Sequence, residues 1–363
     1  MNRNLLRAAW LCLASLFAFC LTAPAVFAAG MKTQNFEFVS AGKRLSGFVD
    51  LPADGTARAT ILIVPGYGRT DVAGRTSYYD LRSLFTSIGI ATVIWDKPGC
   101  GKSEGVFDPD QSVDSSATEI LDAIREERAR GLPGSGRIGL WGISRAGWIA
   151  PLAIARDTTI AFWISVSGTD AEENFPYLLE SNLRIEGRSE PEIAHLVGQW
   201  KRGFAITSHG GTFEDYLAAT RDLRRDPFMI FLSDGAPATK ANFLAEQARF
   251  TSGAFKVDPR TGLMIYVPRF DALLRRLNLP VLALFGEKDR NVDWRSTMAL
   301  YARTIGRNPR ASLTIRTFPD GNHNLQQAPT GGLREMMQMT EHRPAGGYQQ
   351  AMVDWLGARV LNR

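Results

Sequence analysis

The chain carries 363 residues, 45% of them hydrophobic and 22% charged, with a formal net charge of +5. That is the composition of an ordinary globular protein, long enough for one large domain with an insertion or for two domains. The basic excess is small and scattered with no long basic run, which excludes a nucleic-acid footprint.

Met1 to Ala28 reads as a secretory signal peptide. Arg3 and Arg7 precede an apolar run from Ala8 to Leu21, and Ala23-Pro-Ala-Val-Phe-Ala28 ends in small residues that set cleavage after Ala28. The run is short for a bilayer span, which argues against a retained anchor. Bulky residues before Cys20 argue against a lipoprotein. Cleavage removes Cys12 and Cys20 and leaves Cys100 alone, so the mature fold is expected to rest on its core without an internal disulfide. The expected location is periplasmic or secreted, with no stable membrane span once the signal is gone.

Residues 33–51 read as two short strands around a hairpin turn at Ser40–Lys43. Ala59–Pro65 is a β-branched apolar run of the buried-strand kind and ends in Pro65-Gly66-Tyr67-Gly68. A helix follows, with its stripe at Leu81, Leu84, Phe85 and Ile88, and then a second buried strand, Ile90–Trp95. The turn Asp96-Lys-Pro-Gly-Cys-Gly-Lys-Ser103 lacks the glycine spacing of a phosphate-binding loop and reads as structural. Ser112 or Asp114 caps the next helix, whose stripe is Val113, Ala117, Ile120, Leu121 and Ile124.

Arg137–Ala155 begins as a strand, turns sharply at Gly142-Ile143-Ser144-Arg145-Ala146-Gly147 and leaves as a helix. This is the pattern of a nucleophile elbow, with Ser144 at its apex between small residues. Pro151 falls inside that helix, with no account at the level of sequence. Ile160–Ser167 is the next strand, and the alternation of strand and helix implies parallel strands with right-handed crossovers.

From Gly168 the pattern turns helical. Ser189 caps one helix, Thr212 with Asp215 forms a capping box for another, and few strand signals occur between 171 and 268. The division expected is therefore a signal peptide at 1–28, a first core part at 29–170, a helical cap at 171–268 and a second core part at 269–363. The core resumes with the strand Leu279–Phe285, closed by Gly286-Glu-Lys-Asp289, and a last strand, Ser312–Phe318, runs into Pro319-Asp-Gly-Asn-His323. A final helix carries Tyr348, Met352, Trp355 and Leu356.

Ser144, Asp289 and His323 thus follow three strands in the chain order Ser, carboxylate, His. Such a set lets His323 take the Ser144 proton while Asp289 fixes the imidazole tautomer. Of the four histidines, His195 and His209 fall in the insertion and His342 in a Met-rich stretch that reads as loop. Asp293 is the rival acid but reads as the cap of the following helix. The oxyanion donors expected are the backbone N–H of Arg145 and, less directly, that of Tyr67.

The chain resembles the serine α/β hydrolases of the bacterial exported esterase and acyl-peptidase-like group. The resemblance rests on Trp141-Gly-Ile-Ser-Arg-Ala-Gly-Trp-Ile-Ala-Pro151, on the Asp96–Ser103 turn with Pro98 in place of the usual Arg, and on the motifs ending at Asp289 and His323. Gly66-Tyr-Gly-Arg-Thr-Asp71 departs from the family's usual sequence there. The resemblance implies an α/β-hydrolase fold, a mostly parallel sheet with helices on both faces and an inserted helical cap. It also implies a carboxylesterase acting on a small-molecule acyl ester through an acyl-enzyme, without metal or organic cofactor. Two alternatives stay open. One is a serine peptidase or amidase on the same three residues, which a carboxylate such as Glu172, Glu173 or Glu180 would favour by holding a substrate amine. The other is a non-catalytic binding protein.

Overall fold

A computed structural model describes residues 30–74 and 76–362, so the expected signal peptide lies outside the described residues. In chain order the elements are β1 (Lys32–Ser40), β2 (Lys43–Leu51), β3 (Ala59–Val64), α1 (Tyr79–Ser87), β4 (Ile90–Trp95), α2 (Val113–Ala129), β5 (Ile138–Ile143), α3 (Ala146–Arg156) and β6 (Phe162–Val166). There follow α4 (Phe175–Ile185), α5 (Glu190–Ser208), α6 (Phe213–Ala219), α7 (Pro227–Leu232), α8 (Lys240–Thr251), β7 (Lys256–Val257), β8 (Met264–Ile265) and α9 (Phe270–Leu274). The chain closes with β9 (Pro280–Gly286), α10 (Trp294–Arg303), β10 (Ser312–Phe318), α11 (Leu333–Gln338) and α12 (Tyr348–Arg359).

Eight strands form one sheet in the order β1-β2-β4-β3-β5-β6-β9-β10. The β1–β2 hairpin is antiparallel and β2 meets β4 antiparallel, whereas β4, β3, β5, β6, β9 and β10 run parallel. Strands β3 to β6 are buried along their whole length, as parallel strands covered by helices on both faces must be. The strand period of two divides each strand between two cores. Leu62 and Val64 pack on one side with Trp148, Trp163 and Phe270. Ile61 and Ile63 pack on the other with Phe85, Phe162 and Trp355.

Local chemistry sets the helix ends. Ser112 rather than Asp114 caps α2, its Oγ accepting the Ser115 N–H at 3.0 Å. Ser189 and Glu192 close a capping box on α5, and Thr212 caps α6 through the Asp215 N–H at 3.0 Å. The helix α3 continues through Pro151, although proline has no N–H to return to the carbonyl four residues back.

The segment between β6 and β9 holds α4 to α9 and a third apolar cluster of its own, with Phe175, Leu179, Trp200, Phe204 and Phe228. It also contains the β7–β8 hairpin, two residues to a strand and too short to show a period in sequence. Part of the stretch around His342 that reads as loop is helical: α11 presses Leu333 and Met336 into this same cluster. Among the described residues no helix is long and apolar enough to cross a membrane.

Candidate active site

The parallel strands deliver their connecting loops to one edge of the sheet. Ser144 sits between β5 and α3 at φ +56°, a backbone region that a residue with a side chain adopts only under constraint. Its N–H donates to the Val166 carbonyl at 2.9 Å and its own carbonyl accepts the Gly147 N–H at 2.7 Å. Register between β3 and β5 pairs Val64 with Gly142 and so brings the Pro65–Gly68 turn beside the serine. The approach is close: a Cβ at Gly66 would stand 3.3 Å from the Ser144 Cβ and 3.2 Å from the Ile143 carbonyl oxygen.

Tyr67 lies at the centre of that turn. The Lys97 ammonium donates to the carbonyls on either side of it, Gly66 at 2.5 Å and Gly68 at 2.8 Å. Burial, reinforced by the nearby Arg145 guanidinium, pulls Lys97 down to about 7. Arg145 stands at the start of α3. Its buried guanidinium turns away toward the start of α2, donating to the Gln111 carbonyl before that helix and to Ser116 Oγ in its first turn, and burial lowers its affinity for its proton.

Asp289 follows β9 and His323 follows β10, and both side chains are buried. His323 Nδ1 lies 2.8 Å from Asp289 Oδ2. The other carboxylate oxygen accepts the N–H groups of Asn291 at 2.8 Å and Val292 at 3.0 Å, which fixes the carboxylate plane. An ionised carboxylate can only accept, so the bond puts the imidazole proton on Nδ1 and leaves Nε2 as an acceptor. Asp293 instead caps α10, accepting from the N–H groups of Arg295 and Ser296 at 3.1 Å each.

Two residues inside the acid and histidine motifs, to which the sequence gives no role of their own, hold this pair. Asn322 shapes the histidine turn, its Oδ1 accepting the N–H groups of Asn324 at 2.9 Å and Gln326 at 3.1 Å. Gly286 lets that turn lie against the acid loop, because a Cβ there would fall 2.3 Å from the Gly321 carbonyl oxygen and 2.4 Å from that of Asn322. The remaining histidines lie elsewhere: His195 bonds Asp222, His209 bonds Ser208 and His342 bonds Gln326.

Ser144 and His323 line one pocket, with Trp148, Phe175, Leu178 and Val292 among its apolar walls. The segment after β6 therefore forms one side of it. The helix α4 is tied to the acid loop, since the Tyr177 hydroxyl donates to the Asp289 carbonyl at 2.9 Å and Asn182 Nδ2 to that of Arg290 at 3.2 Å. Of the three carboxylates weighed in the sequence, Glu180 pairs with Arg184 on the surface, while Glu172 joins the edge of the β7–β8 hairpin. Only Glu173 is buried in the cavity wall. Its oxygens accept the Phe175 N–H at 2.9 Å and the Tyr266 hydroxyl at 2.8 Å, and Tyr266 stacks on Trp148 at 4.0 Å. Burial pushes the Glu173 carboxyl up to about 7. Among the described residues no group of three or more His, Cys, Asp or Glu is arranged to hold a metal ion.

Chemically, the edge offers a strained hydroxyl, an imidazole with a free acceptor nitrogen and a fixed carboxylate behind it. That combination can move a proton off an alcohol and return it to a leaving group.

A family model described as the alpha/beta hydrolase family matches residues 61–335. An esterase of Pyrococcus furiosus superposes with a TM-score of 0.53 at 13% identity, over 94% of this chain and 96% of that one. The alpha/beta hydrolase GrgF from Penicillium sp. sh18 gives 0.51 at 17% identity, over 91% and 99%. The protein Est1E from Butyrivibrio proteoclasticus, solved with ferulic acid bound, gives 0.50 at 16%, over 90% and 98%. In sequence, an acyltransferase of Aspergillus calidoustus, drtE, is 28% identical over 152 residues, 38% of this chain. The match spans 47% of that relative, about half its length.

Proposed function

The chain belongs to the alpha/beta hydrolase family, and from that premise we propose that it is a serine hydrolase cleaving carboxylic esters through Ser144, His323 and Asp289. One observation carries the reading. A serine held at φ +56° shares a cavity with a histidine whose far nitrogen is bonded to a buried carboxylate.

In this reading Ser144 Oγ attacks the acyl carbonyl while His323 Nε2 takes its proton, and Asp289 stabilises the imidazolium that forms. The N–H groups of Tyr67 and Arg145 receive the oxyanion, at the start of α3 where the helix dipole favours negative charge. His323 then protonates the departing alcohol and afterwards draws a proton from water, which frees the acid and restores the serine. The name of the Pyrococcus furiosus neighbour agrees with an ester substrate, but that likeness carries the fold alone.

A second acceptor belongs to the same chemistry, because an alcohol could replace water at the acyl-enzyme. The named acyltransferase among the relatives favours including it in the test. Export belongs to the proposal too, on the N-terminal sequence alone, with the mature chain periplasmic or secreted.

The test is turnover of p-nitrophenyl esters of increasing chain length by wild type and Ser144→Ala, with and without an added alcohol. The expected result is ester cleavage by wild type only. Cleavage that survives in Ser144→Ala would overturn the mechanism. Wild type that is silent on esters but cleaves aminoacyl anilides would move the reading to an amidase.

A further inference from the structure

Two polar side chains in the wall of the catalytic cavity have no hydrogen-bond partner among the described residues. Asn291 is 3% exposed, and both ends of its carboxamide are buried with no hydrogen-bond partner among the described residues. Thr169, also 3% exposed, has an equally unpartnered Oγ1. Both line the cavity that holds Ser144 and His323.

Their neighbours differ. Asn174 donates to the Glu172 carbonyl and accepts the Asp293 N–H, and both Glu173 oxygens are engaged as described above. Polar groups buried this deeply are paired in nearly all native structures, and an exception calls for a partner from outside the chain. The local turn does not require the Asn291 side chain either. The turn after Asp289 uses the backbone N–H of Asn291, which almost any residue would supply.

We propose that Asn291 and Thr169 form a polar subsite that recognises a hydroxyl group carried by the substrate close to its scissile bond. The inference deepens the ester-hydrolase reading and rests on it. A carboxamide offers a donor and an acceptor side by side, and a hydroxyl adds one of each, so the matching group must both give and receive a hydrogen bond. Apolar Phe175, Leu178 and Val292 around the polar pair would hold the carbon skeleton. The preferred ester is therefore a hydroxylated one rather than a plain alkyl ester.

The experiment compares matched substrates. On the acyl side, p-nitrophenyl 3-hydroxybutyrate is set against p-nitrophenyl butyrate. On the alcohol side, 2-hydroxyethyl butyrate is set against ethyl butyrate. Wild type is expected to favour one hydroxylated member by about tenfold or more in kcat/KM, since a site built to bond a hydroxyl discriminates against its absence. The pair that shows the preference identifies the portion recognised. Asn291→Ala and the nearly isosteric Thr169→Val are each expected to collapse that ratio, mainly through KM, with thermal unfolding recorded to confirm that each variant is folded. No preference in wild type, or a preference untouched by both substitutions, would overturn the subsite. Binding of 3-hydroxybutyramide against butyramide to the Ser144→Ala protein, read by saturation-transfer NMR, needs no turnover. If the protein cleaves no ester yet binds the hydroxylated amide selectively and loses this with Asn291→Ala, the subsite stands and the esterase reading falls. Equal binding of both amides would overturn the subsite.

Discussion

His323 Nδ1 stands 2.8 Å from Asp289 Oδ2, with both side chains withdrawn from solvent. The relationship fixes which imidazole nitrogen faces the cavity, and the bonds from the Asn291 and Val292 N–H groups to the other carboxylate oxygen keep it fixed. Asp289→Asn keeps the shape but turns an acceptor into a donor toward Nδ1, so the proton moves to Nε2 and the ring can no longer act as a base. The expected loss in kcat is roughly 10³–10⁴-fold with folding intact. Steady-state kinetics and circular dichroism check it, and near-normal kcat would remove Asp289 from the mechanism.

Gly286 tests how closely the acid and histidine loops must approach. Its φ is not in the left-handed region, so Gly286→Ala acts through contact alone, against the Gly321 and Asn322 carbonyl oxygens. The expected cost is about 1–3 kcal/mol in denaturant unfolding, as for other overpacked sites, together with a fall in kcat as the His323 turn is pushed off Asp289.

Lys97 acts on the Tyr67 turn without touching substrate. Lys97→Met removes the donor to the Gly66 and Gly68 carbonyls and leaves the turn free to rotate its peptide planes. A fall in kcat of about ten- to a hundredfold is expected, below that for losing an oxyanion donor outright, with KM little changed. Partial recovery in Lys97→Arg, which still carries donors, would separate positioning from simple packing.

Glu173 couples the cavity to pH. Its folded value, about 7, lies above the usual 4.5 because burial disfavours the carboxylate. Between those values the folded protein binds more protons than the unfolded chain, so this group's contribution is full at the acid end and is lost as pH rises through 7. Glu173→Gln cannot ionise. Its stability relative to wild type is therefore expected to rise between pH 5 and pH 8 in chemical denaturation, and a flat difference would contradict the assignment.

Much of the fold could be read from the chain because its strands announce themselves. Ala59–Val64, Ile90–Trp95 and Ile138–Ile143 are apolar runs bounded by turn residues, and the sheet buries each of them completely. The β7–β8 hairpin and α11 were not legible, being too short for a period to emerge and held by contacts from elsewhere in the chain. For the site, the order of Ser144, Asp289 and His323 after three strands was visible. What surrounds them was not. The carboxylate Glu173 looks in sequence like any solvated acid beside Glu172, and only the packing of Tyr266 and Phe175 around it makes it part of the cavity wall. Lys97 and Asn322 act through atoms that meet particular backbone groups, and the Asn291 carboxamide is buried without a hydrogen-bond partner among the described residues, properties that spacing along the chain does not encode.

The central claim is that Ser144 is the nucleophile, and a covalent probe addresses it most directly. Wild type would be treated with a fluorophosphonate, digested and mapped by mass spectrometry. The account predicts a single adduct on the peptide containing Ser144, suppressed by prior incubation with an ester substrate and absent from Ser144→Ala. An adduct on another residue, or no adduct on a protein that cleaves esters, would contradict it.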